Sequence, residues 1–166
     1  MALGPVLTAL ALCVGVDLLS MVFFPALRLF MDPLLLLLIA LASRLRSPRS
    51  LWLTGLGLGL LKDLYAGSIF GAWTCTFAAA AWLISATRQM VEWEDPAIVG
   101  IWAAILTLGV WVFYGFWMTA ADPFIHWGNG QLSVMPAAMT AQGLLAAWLY
   151  PRMRKWFLKS SPTYRV

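Results

Sequence analysis

Three ionisable residues of this chain lie inside apolar sequence: Asp17, Lys62 and Asp63. Two carboxylates that share a site titrate apart and do acid–base work, which makes Asp17 and Asp63 a formal candidate for a catalytic dyad. Lys62 adjoins one of them, and no second catalytic motif accompanies the pair. An intramembrane protease would need a serine with a His or Lys partner, two facing aspartates, or a zinc motif of the HExxH kind, and none of these is formed convincingly. His126 stands in a polar stretch without a Cys or a second His near it in sequence, so it is read as a solvated or interfacial side chain, not a metal ligand. Cys13 and Cys75 sit within apolar segments without metal-ligand spacing, and two free thiols are expected. No nucleotide-binding loop occurs, so transport would need a partner or an ion gradient. No catalytic residue, metal or cofactor is expected, and the chain is read as a non-enzyme.

Other residues point to helix packing. Gly55, Gly59, Asp63 and Gly67 recur every four residues, and Gly71 continues the spacing. On a helix such residues form one slowly drifting stripe, and a glycine stripe lets a neighbouring backbone come close. An Asp or Lys near the centre of a membrane helix costs roughly 2.5–3.5 kcal/mol on insertion scales, so Lys62 and Asp63 need partners. The stripe either orders the chain's own bundle or presents a surface to a partner, and the first reading is preferred.

The elements that position these residues are membrane helices. Of 166 residues, 62% are hydrophobic and 11% charged. Soluble domains carry about 25% charged residues. The mean hydropathy of +0.83 agrees. Apolar segments near the ~20 residues needed to cross a bilayer fill the chain, so residues 1–166 are read as a single transmembrane domain of all-α, polytopic class. The opening stretch MALGPVLTAL lacks the basic residues of a signal peptide and is read as the start of a retained helix. Nine of the eleven Lys and Arg residues lie beside apolar segments: Arg44, Arg46 and Arg49; Arg88; and Arg152, Arg154, Lys155, Lys159 and Arg165. The net charge of +4 is therefore topology and not a nucleic-acid groove.

In order, apolar segments cover about 4–27, 32–43, 50–66, 69–87, 97–121 and 132–150. The second opens on Asp32-Pro33, a capping side chain followed by proline. It is short: from Leu29 to Ser43 a helix covers about 22 Å, against a hydrocarbon core of ~30 Å. The third and fourth should form an antiparallel hairpin. The fifth is rich in aromatics, with Trp111 and Tyr114 expected in the bundle or against lipid. In the last, Gln142 is expected to hydrogen-bond a neighbouring helix. Pro151 ends it, leaving a basic cytoplasmic tail at about 151–166 that is read as lying against anionic lipid head groups, with a protein partner as the alternative.

Six spans with both termini inside satisfy the positive-inside rule. So do five, if the second segment does not cross. Six spans place Asp17, Lys62 and Asp63 at similar depth, roughly 18–20 Å from the inner surface, and suggest an Asp17–Lys62 pair or a shared polar cluster.

The run GLLKDLYAGSIFG, residues 59–71, resembles the signature of the MreD family of bacterial rod shape-determining proteins. Gly59, Asp63, Gly67 and Gly71 occupy its glycine, aspartate and small-residue positions. The preceding Asp32-Pro33, leucine run and basic loop are also similar, although the family more usually has the proline first. The resemblance implies a non-catalytic, multi-pass component of the bacterial inner membrane, with a cytoplasmic C-terminus, that supports peptidoglycan synthesis and cell shape as an adaptor. Its implied partners are MreC, RodA with a class B penicillin-binding protein, and MreB, directly or through another component; no nucleic acid is among them. It also implies a fold similar to the membrane S component of energy-coupling-factor transporters, and that supplies the alternative function: capture of a vitamin or metal ion for such a transporter.

Overall fold

The computed structural model describes residues 3–23, 32–45, 47–66, 69–88, 95–121 and 129–159. Among them are six helices and no strand: α1 (Leu3–Phe23), α2 (Pro33–Ala42), α3 (Pro48–Ala66), α4 (Ala72–Thr87), α5 (Pro96–Ala121) and α6 (Asn129–Lys159). Arg28, Arg46, Gly67, Glu92, Glu94, Asp122, His126 and Arg165 lie outside the described residues.

α2 is the centre of the arrangement. A helix that is apolar all round has no side to give to water and is buried on every face. The sequence PLLLLLIALA is such a helix, and all ten of its residues are buried. It touches each of the other five helices. At 1.5 Å per residue it is about 15 Å long, half of the hydrocarbon thickness. The second segment thus forms a short core helix, and its described part does not cross a membrane by itself.

Two close-packed hairpins flank it. In the first, α3 meets α4 through glycine. A Cβ at Gly55 would lie 2.6 Å from the Cβ of Ala81, and one at Gly59 would lie 2.5 Å from the Trp73 carbonyl oxygen. Contacts that move backward along α4 as they advance along α3 make the pair antiparallel, as expected. In the second hairpin, a Cβ at Gly100 or at Gly143 would stand 2.8 Å from the other residue's carbonyl oxygen, with Ala147 and Ala104 beside them. Gly100-x-x-x-Ala104 on α5 and Gly143-x-x-x-Ala147 on α6 are two small-residue pairs that interlock. Sequence reading passed over this crossing, although its spacing was visible.

α6 runs from Asn129 to Lys159, through Pro136 and Pro151. It is longer than the segment of about 132–150 read from sequence, and the supposed tail begins as helix. Proline removes one hydrogen bond and crowds the carbonyl four residues back. At Pro151 that carbonyl belongs to Ala147, which faces Gly100 across the small-residue crossing, and the Arg152 guanidinium donates to the neighbouring Trp148 carbonyl.

α1 lies along α2 and also touches α6. Its span Gly4–Phe23 and the span Pro96–Ala120 of α5 are long and apolar enough to cross a membrane, and only 17% of the former is buried. Large apolar side chains face outward on both, among them Leu12, Leu19 and Val22 of α1 and Ile101, Val112 and Phe116 of α5. A surface of this kind suits lipid or other membrane helices as neighbours. At one end of the bundle the guanidinium of Arg44 donates to the carbonyl of Phe157 near the end of α6, and that of Arg88 donates to the carbonyl of Leu45. Arg44 and Arg88, from two separate loops, and the end of α6 therefore gather at the same end.

Candidate functional site

Near the other end, three of the buried polar residues tie helix ends together. Asp63, buried in the last turn of α3, reaches the start of α4. Its Oδ2 accepts from the backbone N–H of Gly71 at 3.0 Å, from that of Thr74 at 2.9 Å and from the Thr74 hydroxyl at 2.6 Å, and its Oδ1 accepts from the Trp73 N–H at 3.0 Å. The first N–H groups of any helix lack partners inside it and carry the positive end of its dipole. A capping side chain normally serves them, but the cap position of α4 is Gly71, at φ +94°, with no side chain. Asp63 is therefore the cap of α4, supplied from α3.

The glycines make this reach feasible. Without a Cβ at Gly59, the backbone of Trp73 and Thr74 lies against α3 within range of a carboxylate one turn further on. Gly71 takes the left-handed conformation that the turn into α4 requires, one that glycine adopts without strain. Gly55 lets the hairpin stay close as far as Phe77 and Ala81.

Lys62 turns the other way. Its buried ammonium lies 2.5 Å from the Oδ2 of Asp32, 3.9 Å from the ring centroid of Trp73 and 5.5 Å from that of Phe77. The Oδ1 of Asp32 meanwhile accepts from the N–H groups of Leu34 and Leu35, both at 3.2 Å, capping α2. Gln142 of α6, fully buried, completes the junction. Its Oε1 accepts from the Asp32 N–H and its Nε2 donates to the Asp32 carbonyl, each at 3.0 Å. A helix that begins inside a bundle at membrane depth must satisfy its first backbone groups within the protein. Asp32, Lys62 and Gln142 do this for α2, and they join it to α3 and α6.

Of the two expected arrangements, an Asp17–Lys62 pair or a shared polar cluster, the direct pair does not form. Lys62 pairs with Asp32, and the fully buried carboxylate of Asp17 accepts from the hydroxyl of Tyr65, one turn along α3. Residues three apart share a helix side, so the depth argument points Asp17 to the right face of α3 but to the wrong residue on it. Asp32 was read as a capping residue alone. The missed signal was the shortness of its helix, which puts that cap inside the bundle and level with Lys62. Tyr65 carried no signal beyond its place next to the stripe. Gln142 does bond a neighbouring helix, through the backbone of residue 32.

An aromatic layer closes the junction toward α5. Trp73 stacks on Tyr114, with ring centroids 4.3 Å apart, and meets Phe77 edge-on at 6.3 Å. Among the described residues, no group of three or more His, Cys, Asp or Glu side chains is placed to hold a metal ion. Asp63 is engaged by α4 and Asp17 by α3, so the two carboxylates serve different helices. The arrangement is one of structural ties: two helix starts, each held by an aspartate, and one buried cation between them.

The model of a family described as rod shape-determining protein MreD matches residues 2–160 of the 166. The chain belongs to the MreD family. It is accordingly a rod shape-determining membrane component. No curated protein and no solved structure matches it, so the likeness to S components rests on the resemblance alone. Of the four residues that carry the MreD resemblance, Gly59, Asp63 and Gly71 form the α3–α4 tie described above, and Gly67 lies outside the described residues.

Proposed function

We propose that this MreD-family protein is a non-catalytic adaptor of the cell-elongation machinery in the bacterial inner membrane, supporting peptidoglycan synthesis through its helix surfaces. The observation that carries this reading is the employment of the buried charges. Asp17, Lys62 and Asp63 each bind another helix of the same bundle. Catalysis needs a polar group held ready for a substrate. Here those groups go to ties between helices, with only the Oδ1 of Asp17 left unpaired among their carboxylate oxygens, and the body has a wide apolar exterior, which suits lateral contact with other membrane helices. The gathering of Arg44, Arg88 and the end of α6 at one end favours that end, and with it the C-terminus, on the cytoplasmic side. The partners proposed are MreC, the RodA and class B penicillin-binding protein pair, and MreB, directly or through another component.

The experiment is affinity recovery of the intact membrane complex through a tag on the full chain, with the co-purified proteins identified. Wall-synthesis partners are the expected result. Recovery of a transport ATPase in their place would overturn the adaptor reading.

A further inference from the structure

The last turns of α6 form a two-faced helix that does not follow from the adaptor reading. One face is anchored: Phe157 is fully buried, its carbonyl accepts from Arg44, and the Arg44 guanidinium stands 5.5 Å from its ring centroid. At about 100° per residue, Trp148, Arg152, Lys155 and Trp156 fall within an arc of about 100° on the opposite side. All four are exposed, Trp148 by 57% and Trp156 by 41%. The Arg152 guanidinium lies 4.0 Å from the Trp148 ring centroid and donates to the Trp148 carbonyl, which leaves other N–H groups of its five for a ligand.

Length sets the depth of this face. The 31 residues of α6 extend about 46 Å, some 15 Å more than the hydrocarbon core, so its final turns emerge among the head groups. Tryptophan favours that boundary, and Lys and Arg just beyond it meet lipid phosphates. No Asp or Glu occurs between residues 145 and 166 to oppose an anion.

We propose that this face binds anionic phospholipid head groups. Arg152 and Lys155 hold the phosphates, while Trp148 and Trp156 seat the site at the acyl boundary. The charge of the face selects lipid over a transmembrane partner helix, which would have to cover two protruding cations.

The test uses the purified full-length protein in nanodiscs of phosphatidylcholine mixed with phosphatidylglycerol, reading the lipids retained on extraction by native mass spectrometry. Enrichment of phosphatidylglycerol is expected. The Arg152→Gln/Lys155→Gln variant should lose roughly fivefold in that enrichment per charge removed. Both residues are exposed, so the fold should persist, as helicity will report. Should the variant not fold, the wild-type protein still decides: its enrichment must fall as ionic strength rises. No enrichment, enrichment indifferent to salt, or enrichment equal in a folded variant overturns the proposal. The last result is the one expected if the face meets an acidic protein segment instead.

Discussion

The carboxylate of Asp63 accepts the backbone N–H of Gly71 across the turn that joins α3 to α4, at 3.0 Å. One residue supplies the charge and the other the absence of a side chain, so the helix cap is divided between two positions eight apart. The division explains why glycine and aspartate occur together at this spacing. A glycine at the start of α4 allows the tight turn but cannot cap, and an aspartate at the end of α3 caps only if Gly59 lets the backbones meet.

Replacing Asp63 therefore separates charge from shape. Asp63→Leu leaves three backbone N–H groups and a hydroxyl without their acceptor, and a loss of about 3 kcal/mol or more is expected where each buried orphan costs about 1–3 kcal/mol. Asp63→Asn keeps one acceptor oxygen and should lose about 1–2 kcal/mol, through the missing charge at the helix start. Unfolding free energies measured in bilayer discs should rank wild type above Asn above Leu. Equal stability of all three would remove the cap argument.

Gly59 and Gly57 offer an internal control. A Cβ at Gly59 would stand 2.5 Å from the Trp73 carbonyl, whereas one at Gly57 meets nothing within 4 Å. Gly59→Ala should cost about 1–3 kcal/mol by forcing the hairpin apart. Gly57→Ala should be neutral or add about 0.5–1 kcal/mol through helix propensity. Thermal unfolding of the two variants, side by side, checks the sign of each.

How much of this arrangement is legible in the sequence depends on whether each signal is local. The glycine and aspartate spacing is periodic along one helix, and that periodicity alone implies a close helix interface. The charge loops are likewise legible, because Arg44 and Arg88 adjoin apolar runs. The Lys62–Asp32 pair is not, since 30 residues separate the two and Asp17 satisfies the same depth argument. Choosing between them needs the path of the short α2, which no local pattern supplies. The end of α6 is misplaced for a related reason: proline predicts a stop from local geometry, whereas the helix, packed on α5 through Ala147 and Gly100, continues through Pro151 to Lys159.

The Lys62 assignment is open to a double-mutant cycle. Lys62→Met alone strands the Asp32 carboxylate in the bundle, and a loss of about 3 kcal/mol or more is expected for a buried pair broken on one side. With Asp32→Asn, which preserves an oxygen for the Leu34 and Leu35 N–H groups, the second loss should be smaller than the sum requires. Coupling of about 1–3 kcal/mol is expected for residues in contact. The same cycle run between Lys62 and Asp17, which share no hydrogen bond, should show less. A larger coupling to Asp17 than to Asp32 would return the pairing to the one that depth alone suggested.

Gln142 tests whether α2 is held from α6 as well as from α3. Its carboxamide presents an acceptor oxygen and a donor nitrogen, and the backbone of Asp32 engages each. Gln142→Leu keeps the size and leaves that N–H and carbonyl without partners at a buried helix start, at an expected cost of about 2 kcal/mol or more. Gln142→Glu is the sharper change. An ionised carboxylate accepts from the N–H but cannot donate to the carbonyl, and it brings a second negative charge toward the single cation at Lys62. Glu should therefore be worse than Leu at neutral pH, although it is closer to Gln in shape. Acidification that protonates the new carboxyl would restore its donor and remove its charge, so the Glu variant alone should gain stability relative to wild type as pH falls. Melting curves of the three proteins at neutral and acidic pH distinguish this from a packing effect, in which the order would not change with pH.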